Sequence, residues 1–510
     1  MKFMRICSVA AALSVSVSPA AVASSLTDIG YRELQAELGT RTPTGAGVRV
    51  TQVEAPSNDT SGGAAPIFMP NPGDTEFSGK VITPIGGNPS GSFSDHATGV
   101  GRLFYGNTNS IAPGITQIDV YDANTWITSL SDSSGTGTSS PPRMINHSWI
   151  GAADTPSESG RVLRMVDRQV HSNESFHVVG LANSAADSPL LGSAYNVISV
   201  GRTDGGQQRN TVSITGDSLY EPIRTAPLLV APESTTSNAT PVVSAAAALL
   251  VQVGHEVGPS LSEGSTTISG VGTIYNAERS ETIKAVLMAG ADRETANSST
   301  SADITDYRHG GHATANGLDD RYGAGQVNIL NSYHILAGGE QPSLQLGGDD
   351  IGRFGLDYGA LERSGVNQTS ASYFFNATSD ATTLFASLAW NLDVSNDTQL
   401  TAQLSNLDLA LFDVTSDRLV ASSNSLLDNT ENVFFKLLVG NRYEIRVTGY
   451  SPIDAVTDYA LAWRMDLSPS PVLVPPTVWL FGSGLAGVAA LIRRHRSQQR
   501  GDARMIQESR

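Results

Sequence analysis

Short apolar runs alternate with helix-like segments over residues 45–336, and this alternation constrains the fold more than any other feature. The runs typical of buried strands are 48–53, 117–121, 144–148, 177–181, 197–200 and 227–230. Between two of them, residues 160–170 (GRVLRMVDRQV) form an amphipathic segment. Strands that alternate with helices indicate βαβ units and a parallel sheet covered on both faces. The first fold class predicted is therefore α/β, a parallel sheet flanked by helices.

Two further segments of this region are predicted to be helical. Residues 241–253 (PVVSAAAALLVQV) are small and apolar on all sides, which is typical of a helix enclosed by other elements. Residues 280–291 (SETIKAVLMAGA) begin with Ser280 as a candidate N-cap. We expect this second helix to lie at the surface and to pack on the core.

After Gly338 the pattern changes to short apolar runs separated by Asp, Asn, Ser and Gly. These runs are 373–375, 383–390, 407–412, 433–438, 443–447 and 458–463. Such spacing is typical of an antiparallel β-sandwich. The sequence thus predicts a first domain over 24–338, a boundary in the Gly-rich run 338–348, and an all-β, jelly-roll-like sandwich over 345–466.

Composition excludes several classes of function. The chain has 510 residues and a formal net charge of −17, and such an acidic surface repels nucleic acid. Its single cysteine, Cys7, excludes an intramolecular disulfide framework. No zinc or EF-hand spacing is present, so we assign no metal site and no cofactor.

The first 23 residues predict an export signal. Lys2 and Arg5 precede an apolar stretch, and an A-x-A site ends at Ala23. This order of basic, apolar and small residues is that of a secretory signal cut after Ala23. A buried N-terminal helix is the alternative. If residues 1–23 are removed, Cys7 is lost, and with it any cysteine nucleophile.

The C-terminus carries a second signal over residues 468–497. A proline-rich spacer (SPSPVLVPP) precedes sixteen largely apolar residues, 477–492, and an arginine cluster follows. The length is borderline for a membrane span, and the arginines favour a cytoplasmic tail at 498–510. A buried core helix is the alternative.

This tail resembles the PEP-CTERM sorting segment, with a Val-Pro motif, WLFGSGLAG and a basic cluster in order. It departs from that family in having VPP in place of Pro-Glu-Pro or Val-Pro-Leu-Pro. The resemblance implies transient residence in the inner membrane of a Gram-negative bacterium. It also implies processing by an exosortase and release to the outer surface or extracellular matrix.

Four segments of residues 30–336 together resemble the subtilase family of serine peptidases. The segment 233–250 (ESTTSNATPVVSAAAALL) is similar to the family's Gly-Thr-Ser-Met-Ala-Thr-Pro block, which assigns Ser237 as nucleophile at a helix N-terminus. Thr235 and Asn238 replace the family's Gly and Met, and a Cβ at position 235 is expected to narrow the approach to the cleft. Without the other segments, Ser237 would equally be an ordinary N-cap.

The segment 94–101 (SDHATGVG) resembles the block that contains the family's general base. His96 takes that position, because a neutral imidazole can accept the serine proton and return it to the leaving amine. A structural histidine is the alternative. The segment 177–203 resembles the strand–loop–strand with the oxyanion asparagine, which assigns Asn183. An Asn that merely caps a turn is the alternative there.

The segment 47–55 (GVRVTQVEA) resembles the strand that ends in the family's triad aspartate, but this chain has Glu54 there. Glutamate can accept the imidazole N–H, and its extra methylene adds about 1.5 Å of reach. A solvated carboxylate at a strand end is the alternative. Residues 145–151 (INHSWIG) resemble the strand that pairs with the substrate backbone, which assigns Ser148, Trp149 and Gly151 to peptide binding. Ordinary packing is the alternative for His147 and Trp149.

The resemblance implies a secreted serine endopeptidase that acts on proteins or peptides through Glu54, His96, Ser237 and Asn183. Many subtilases bind calcium, but these residues do not locate a calcium site. The competing hypothesis is a subtilase-fold surface or biofilm matrix protein with little or no activity. Glu54 and Thr235 favour it, and the joint presence of Ser237, His96 and Asn183 opposes it.

Overall fold

The computed structural model describes residues 25–131, 142–185, 188–299, 301–362, 369–378, 383–450 and 456–466. These residues all belong to one compact unit that ends at Asp466. The predicted signal peptide (1–23), the spacer and sorting segment (468–497) and the tail (498–510) lie outside the described residues.

A seven-stranded parallel sheet forms the first half of the fold, as the alternating pattern predicts. Its strands are β1 Val50–Glu54, β2 Val81–Ile85, β3 Gln117–Asp122, β4 Met144–His147, β5 Phe176–Gly180, β6 Ile198–Arg202 and β7 Leu229–Ala231. Their order is β2-β3-β1-β4-β5-β6-β7, and all neighbours pair in parallel. The chain therefore changes direction across the sheet between β1 and β4. In open α/β sheets such a switch point is where ligands bind, outside the carboxyl ends of the strands.

Besides a helical turn over residues 25–28, eight α-helices lie within the described residues. They are α1 Tyr31–Leu38, α2 Asp95–Tyr105, α3 Ala123–Ser131, α4 Pro156–Asn173, α5 Thr236–Glu256, α6 Gly258–Leu261, α7 Ser280–Gly290 and α8 Ile329–Ala337. α5 is long and apolar enough to cross a membrane, but 78% of its most apolar window is buried inside the fold. It contacts β4, β5, β6 and β7, so it is the enclosed helix that the all-apolar pattern predicts.

The remaining strands form a small hairpin and a β-sandwich, which confirms the second part of the predicted fold class. The hairpin is β8 Ser265–Ile268 with β9 Gly272–Tyr275, and a further two-residue pair is β13 Asp393–Val394 with β14 Ala402–Gln403. One sheet of the sandwich has the order β10-β19-β12-β17, and the other has the order β11-β18-β15-β16. Their bounds are β10 Phe354–Glu362, β11 Thr369–Asn376, β12 Thr383–Ala389, β15 Asn406–Asp413, β16 Arg418–Ser423, β17 Thr430–Lys436, β18 Arg442–Tyr450 and β19 Val456–Asp466.

The expected surface position of α7 is wrong. All eleven residues of this helix are buried, because β12 and β19 of the sandwich cover the face that a separate first domain would leave to water. Arg464 of β19 donates to the carbonyl oxygens of Ala289 and Ala291 at 2.9 and 3.0 Å, at the C-terminus of the helix, where the last carbonyl oxygens have no intrahelical donor. The sandwich is thus packed into the α/β fold.

The role expected for Ser280 is also wrong. Ser280 is the first residue of α7, and the N-cap position belongs to Arg279, whose side chain makes no capping bond. The Ser280 N–H donates instead to Glu174 Oε2 at 2.7 Å. A carboxylate from another element therefore stabilises this helix N-terminus.

Candidate active site

Glu54 and His96 meet at the carboxyl end of β1. Glu54 is the last residue of that strand, and His96 is the second residue of α2, whose N-cap Ser94 accepts from Ala97 N at 3.2 Å. Glu54 Oε2 lies 2.8 Å from His96 Nδ1. The glutamate is fully buried, whereas the His96 side chain is 43% exposed. The imidazole is thus held from the protein side and open on its other side.

A chain of buried hydrogen bonds orients the Glu54 carboxylate. Gln52 precedes it by two residues on the same face of β1, and its Nε2 donates to Glu54 Oε1 and to the Ala97 carbonyl oxygen, both at 2.8 Å. Tyr105 donates to Gln52 Oε1 at 2.6 Å. Both carboxylate oxygens are therefore engaged. Neither Gln52 nor Tyr105 was expected in the site from the sequence, although a polar residue two positions before a strand-end carboxylate was a usable signal for Gln52.

Burial and Glu54 act in opposite directions on the pKa of His96. Burial lowers the pKa, while the negative charge of Glu54 and its hydrogen bond raise it. The net effect is a pKa raised above the usual 6.5. A carboxylate that accepts from Nδ1 also leaves Nε2 as the unprotonated nitrogen of the neutral ring.

Ser237 lies in the first turn of α5, and the N–H groups of the residues on either side of it donate to side-chain oxygens. Thr235 is the N-cap, with φ −138° and ψ 154°, and its Oγ1 accepts from Asn238 N at 3.2 Å. Thr236 N donates to Asn183 Oδ1 at 2.9 Å. Among the described residues no acceptor takes the Ser237 N–H. A free N–H at a helix N-terminus can bind an anion.

Thr235, which departs from the family motif, thus has a structural role. Its extended conformation is accessible to any residue, so no glycine is needed there. Threonine is a preferred N-cap residue because its hydroxyl satisfies one of the first helical N–H groups.

Asn183 reaches the start of α5 because β5 passes close to that helix. A Cβ at Gly180, the last residue of β5, would lie 2.7 Å from Thr240 Oγ1, so this approach requires glycine. Asn183 follows three residues later and is exposed. Since its Oδ1 accepts from Thr236 N, its Nδ2 is directed away from that bond and has no acceptor among the described residues.

Because residue 241 is proline, the carbonyl oxygen of Ser237 bonds to a side chain, that of Ser148. Proline has no N–H, so the carbonyl oxygen of Ser237, four residues earlier, has no intrahelical donor. Ser148 Oγ donates to that oxygen at 3.0 Å and itself accepts from Asn146 Nδ2 at 3.0 Å. Ser148 follows β4 directly, so the end of β4 and the first turn of α5 are joined by a side chain.

The structure thus brings Glu54, His96, Ser148, Asn183 and Ser237 to one edge of the sheet, at the carboxyl ends of the neighbouring strands β1, β4 and β5. α2 and α5, which carry His96 and Ser237, pack against each other. In the described structure the Ser237 hydroxyl is not hydrogen-bonded to His96. Such bonds are often long in ligand-free enzymes and tighten when substrate binds.

The two other residues assigned to peptide binding have different surroundings. The Trp149 side chain is 5% exposed and belongs to a buried apolar cluster, with its ring 5.9 Å from that of His147. Gly151 exchanges both main-chain hydrogen bonds with Leu190, at 3.0 and 3.3 Å. The main chain of Gly151 is therefore already paired with that of Leu190. Within the described residues, no group of three or more His, Cys, Asp or Glu side chains could hold a metal ion.

No family model and no curated protein matches this chain. Among solved structures it is similar to the prenylagaramide maturation protease PagA, with 18% identity and a TM-score of 0.38, over 60% of this chain and 98% of that one. It is similar to the self-cleaved protease domain of PatA, with 17% identity and a TM-score of 0.37, over 57% and 97% of the two chains. It is also similar to the serine protease MycP1, with 13% identity and a TM-score of 0.35, over 60% and 88%.

Proposed function

We propose that this protein is a serine endopeptidase that hydrolyses peptide bonds through an acyl-enzyme, with Ser237 as nucleophile. The observation that carries the proposal is the hydrogen bond of 2.8 Å between Glu54 Oε2 and His96 Nδ1, at the sheet edge where Ser237 lies. A buried carboxylate that holds Nδ1–H leaves Nε2 free to act as a general base.

In the proposed reaction, His96 Nε2 takes the proton of Ser237 Oγ as this oxygen attacks the substrate carbonyl carbon. The carbonyl oxygen becomes an oxyanion, which the Ser237 N–H and Asn183 Nδ2 stabilise. The imidazolium, stabilised by Glu54, then protonates the leaving amine, and the C–N bond breaks. Water attacks the acyl-enzyme in the same manner, and the carboxylic acid product and free Ser237 result.

Peptide or protein chains are the proposed substrates, and an extended chain would lie along the sheet edge between His96 and Asn183, since the main chain of Gly151 is already paired with Leu190. The exposed side of His96 and the exposed Asn183 leave this edge open to an extended chain. We also propose that the protein is exported, passes through an inner-membrane stage and is processed by an exosortase-like enzyme. These proposals rest on the sequences of residues 1–23 and 468–497.

A fluorophosphonate probe tests the proposal, because it labels only serines activated by a base and an oxyanion site. We expect the purified protein to be labelled and the Ser237→Ala variant to be unlabelled. The matched control is Ser234→Ala, which removes an exposed hydroxyl three residues away and should leave labelling intact. Absence of labelling under conditions in which an active subtilisin reacts would instead favour a surface protein without turnover. Labelling that persists in Ser237→Ala would mean that another serine is the nucleophile.

A further inference from the structure

Glu233, four residues before Ser237, has a carboxyl group with no basic partner among the residues that the structure describes. It lies next to a small cavity at the start of the described chain, and Ser25 Oγ donates to Glu233 Oε1 at 3.1 Å. The other residues that line this cavity are Leu26, Ile29, Leu103, Asn109, Ile111 and Val242. No basic side chain pairs with Glu233 among the described residues.

An unpaired carboxylate in such a place is unfavourable, because an apolar cavity does not replace the water that a charge loses. Burial accordingly raises the pKa of Glu233 to about 7, although the Ser25 hydroxyl acts in the opposite direction. A cation supplied to this position would form the missing pair.

The sequence indicates where such a cation comes from. If the signal peptide is cut after Ala23, residue 24 carries a new α-ammonium group. Three covalent bonds separate that nitrogen from the N atom of Ser25, so it lies within about 4 Å of it. Ser25 is the residue whose side chain already contacts Glu233. A leader that is still attached would place an uncharged amide at this point instead.

We propose that Glu233 binds the α-ammonium group created at residue 24 by signal cleavage. The ion pair would join the mature amino terminus to the segment that leads into α5. Because only Ser234 and Thr235 separate Glu233 from that helix, pairing would hold the N-cap and hence the first turn with Ser237. This consequence for catalysis rests on the proposed function, whereas the binding of the ammonium group does not.

The test compares two chains, one beginning at Ser24 and one that retains Ala21, Val22 and Ala23. Each is released from a fusion partner without added residues and methylated with ¹³C-formaldehyde, and the pKa of the amino terminus is measured by NMR. In the chain that begins at Ser24 we expect this pKa to be at least about one unit above the ordinary 7.7–8.0, since the carboxylate favours the charged amine. In the longer chain we expect an ordinary value.

Glu233→Gln in the chain that begins at Ser24 should return the amino-terminal pKa to the ordinary range. The control Glu33→Gln removes an exposed carboxylate from α1, close to the same end of the chain, and should leave the pKa raised. Equal pKa values in the two chains would overturn the proposal, and this comparison needs no variant to fold. Neither measurement requires turnover, so an inactive protein would refute the proposed function and leave this result unaffected.

Discussion

Glu54 Oε2 accepts from His96 Nδ1 at 2.8 Å, from a fully buried position at the end of β1. Glutamate therefore fits where the family pattern has aspartate. The longer side chain is held by Gln52, which donates to its other oxygen. We infer that β1, through the amide of Gln52 and the carboxylate of Glu54, holds the His96 imidazole in a fixed orientation.

Glu54→Gln should lower kcat and move the acidic limb of the pH profile. A carboxamide cannot stabilise the imidazolium and can support the wrong tautomer, a loss of about 10³–10⁴ in kcat in serine triads. Activity requires neutral His96, so the rate rises with pH through the pKa of that group. Glu54 raises this pKa above 6.5, and without its charge the lowering effect of burial remains. The limb of kcat/KM should therefore move to lower pH, which stopped-flow assays between pH 5 and 9 can measure.

Glu54→Asp is the control for this prediction. It keeps the charge but withdraws the carboxylate by about 1.5 Å. We expect kcat between those of the parent and Glu54→Gln. A parent-like kcat in Glu54→Gln would remove Glu54 from the mechanism.

Asn183→Asp separates the two hydrogen-bonding roles of this side chain. The carboxylate can still accept from Thr236 N, and the helix N-terminus favours its charge, so thermal stability should be unchanged or slightly increased. The donor to the oxyanion is lost, so kcat should fall by at least about 10²–10³. Thermal unfolding and steady-state kinetics on the same samples measure both effects.

Asn183→Ala is the matched variant, because it loses both the acceptor and the donor. We expect a similar loss of kcat and, in addition, a loss of about 1 kcal/mol in the free energy of unfolding. If Asn183→Asp kept full activity, Asn183 would be only a cap for α5.

Much of the fold and the site was predictable because both depend on local patterns. The six apolar runs of the first domain became β1 and β3 to β7, since a strand buried on both faces is apolar throughout. β2 was missed because its residues are largely exposed and include Pro84, as suits an edge strand. β16 was missed for the same reason, since most of its residues are exposed or half-buried.

Features that depend on distant parts of the chain were not predictable. The burial of α7 comes from β12 and β19, which lie about 100 residues or more further along. The bond from Ser148 to Ser237 joins residues 89 positions apart. No periodicity in a single sequence reports such contacts.

A chain that ends at residue 338 should fail to fold stably, because it leaves α7 without its cover. Burial of one large apolar side chain contributes about 1.5–3 kcal/mol, and a whole domain has about 5–15 kcal/mol of stability. Ala389, Ala460 and Ala462 of the sandwich belong to the main apolar core, so uncovering that surface removes a large part of the total. We expect little soluble protein from the short chain, and one cooperative transition from the full chain in calorimetry. Two independent transitions would contradict the integral packing of the sandwich.

Ser148→Ala should destabilise the protein by an amount that depends on residue 241. The substitution leaves the Ser237 carbonyl oxygen and Asn146 Nδ2 without their partner, at a cost of about 1–3 kcal/mol. Pro241→Ala restores an N–H that can donate to the Ser237 oxygen as in an ordinary helix. Ser148→Ala should therefore cost less in the Pro241→Ala background, with a coupling energy of about 0.5–1.5 kcal/mol from denaturant unfolding.

Ser193→Ala is the control for this cycle, since Ser193 is also buried and donates to a main-chain oxygen, that of Val212, at 3.1 Å. Its effect should add to that of Pro241→Ala without coupling. Additive effects of Ser148→Ala and Pro241→Ala would mean that the Ser237 carbonyl gains nothing from an N–H at position 241. In that case Ser148 would stabilise the end of β4 through Asn146, and the first turn of α5 would be held by Thr235 and Asn183 alone.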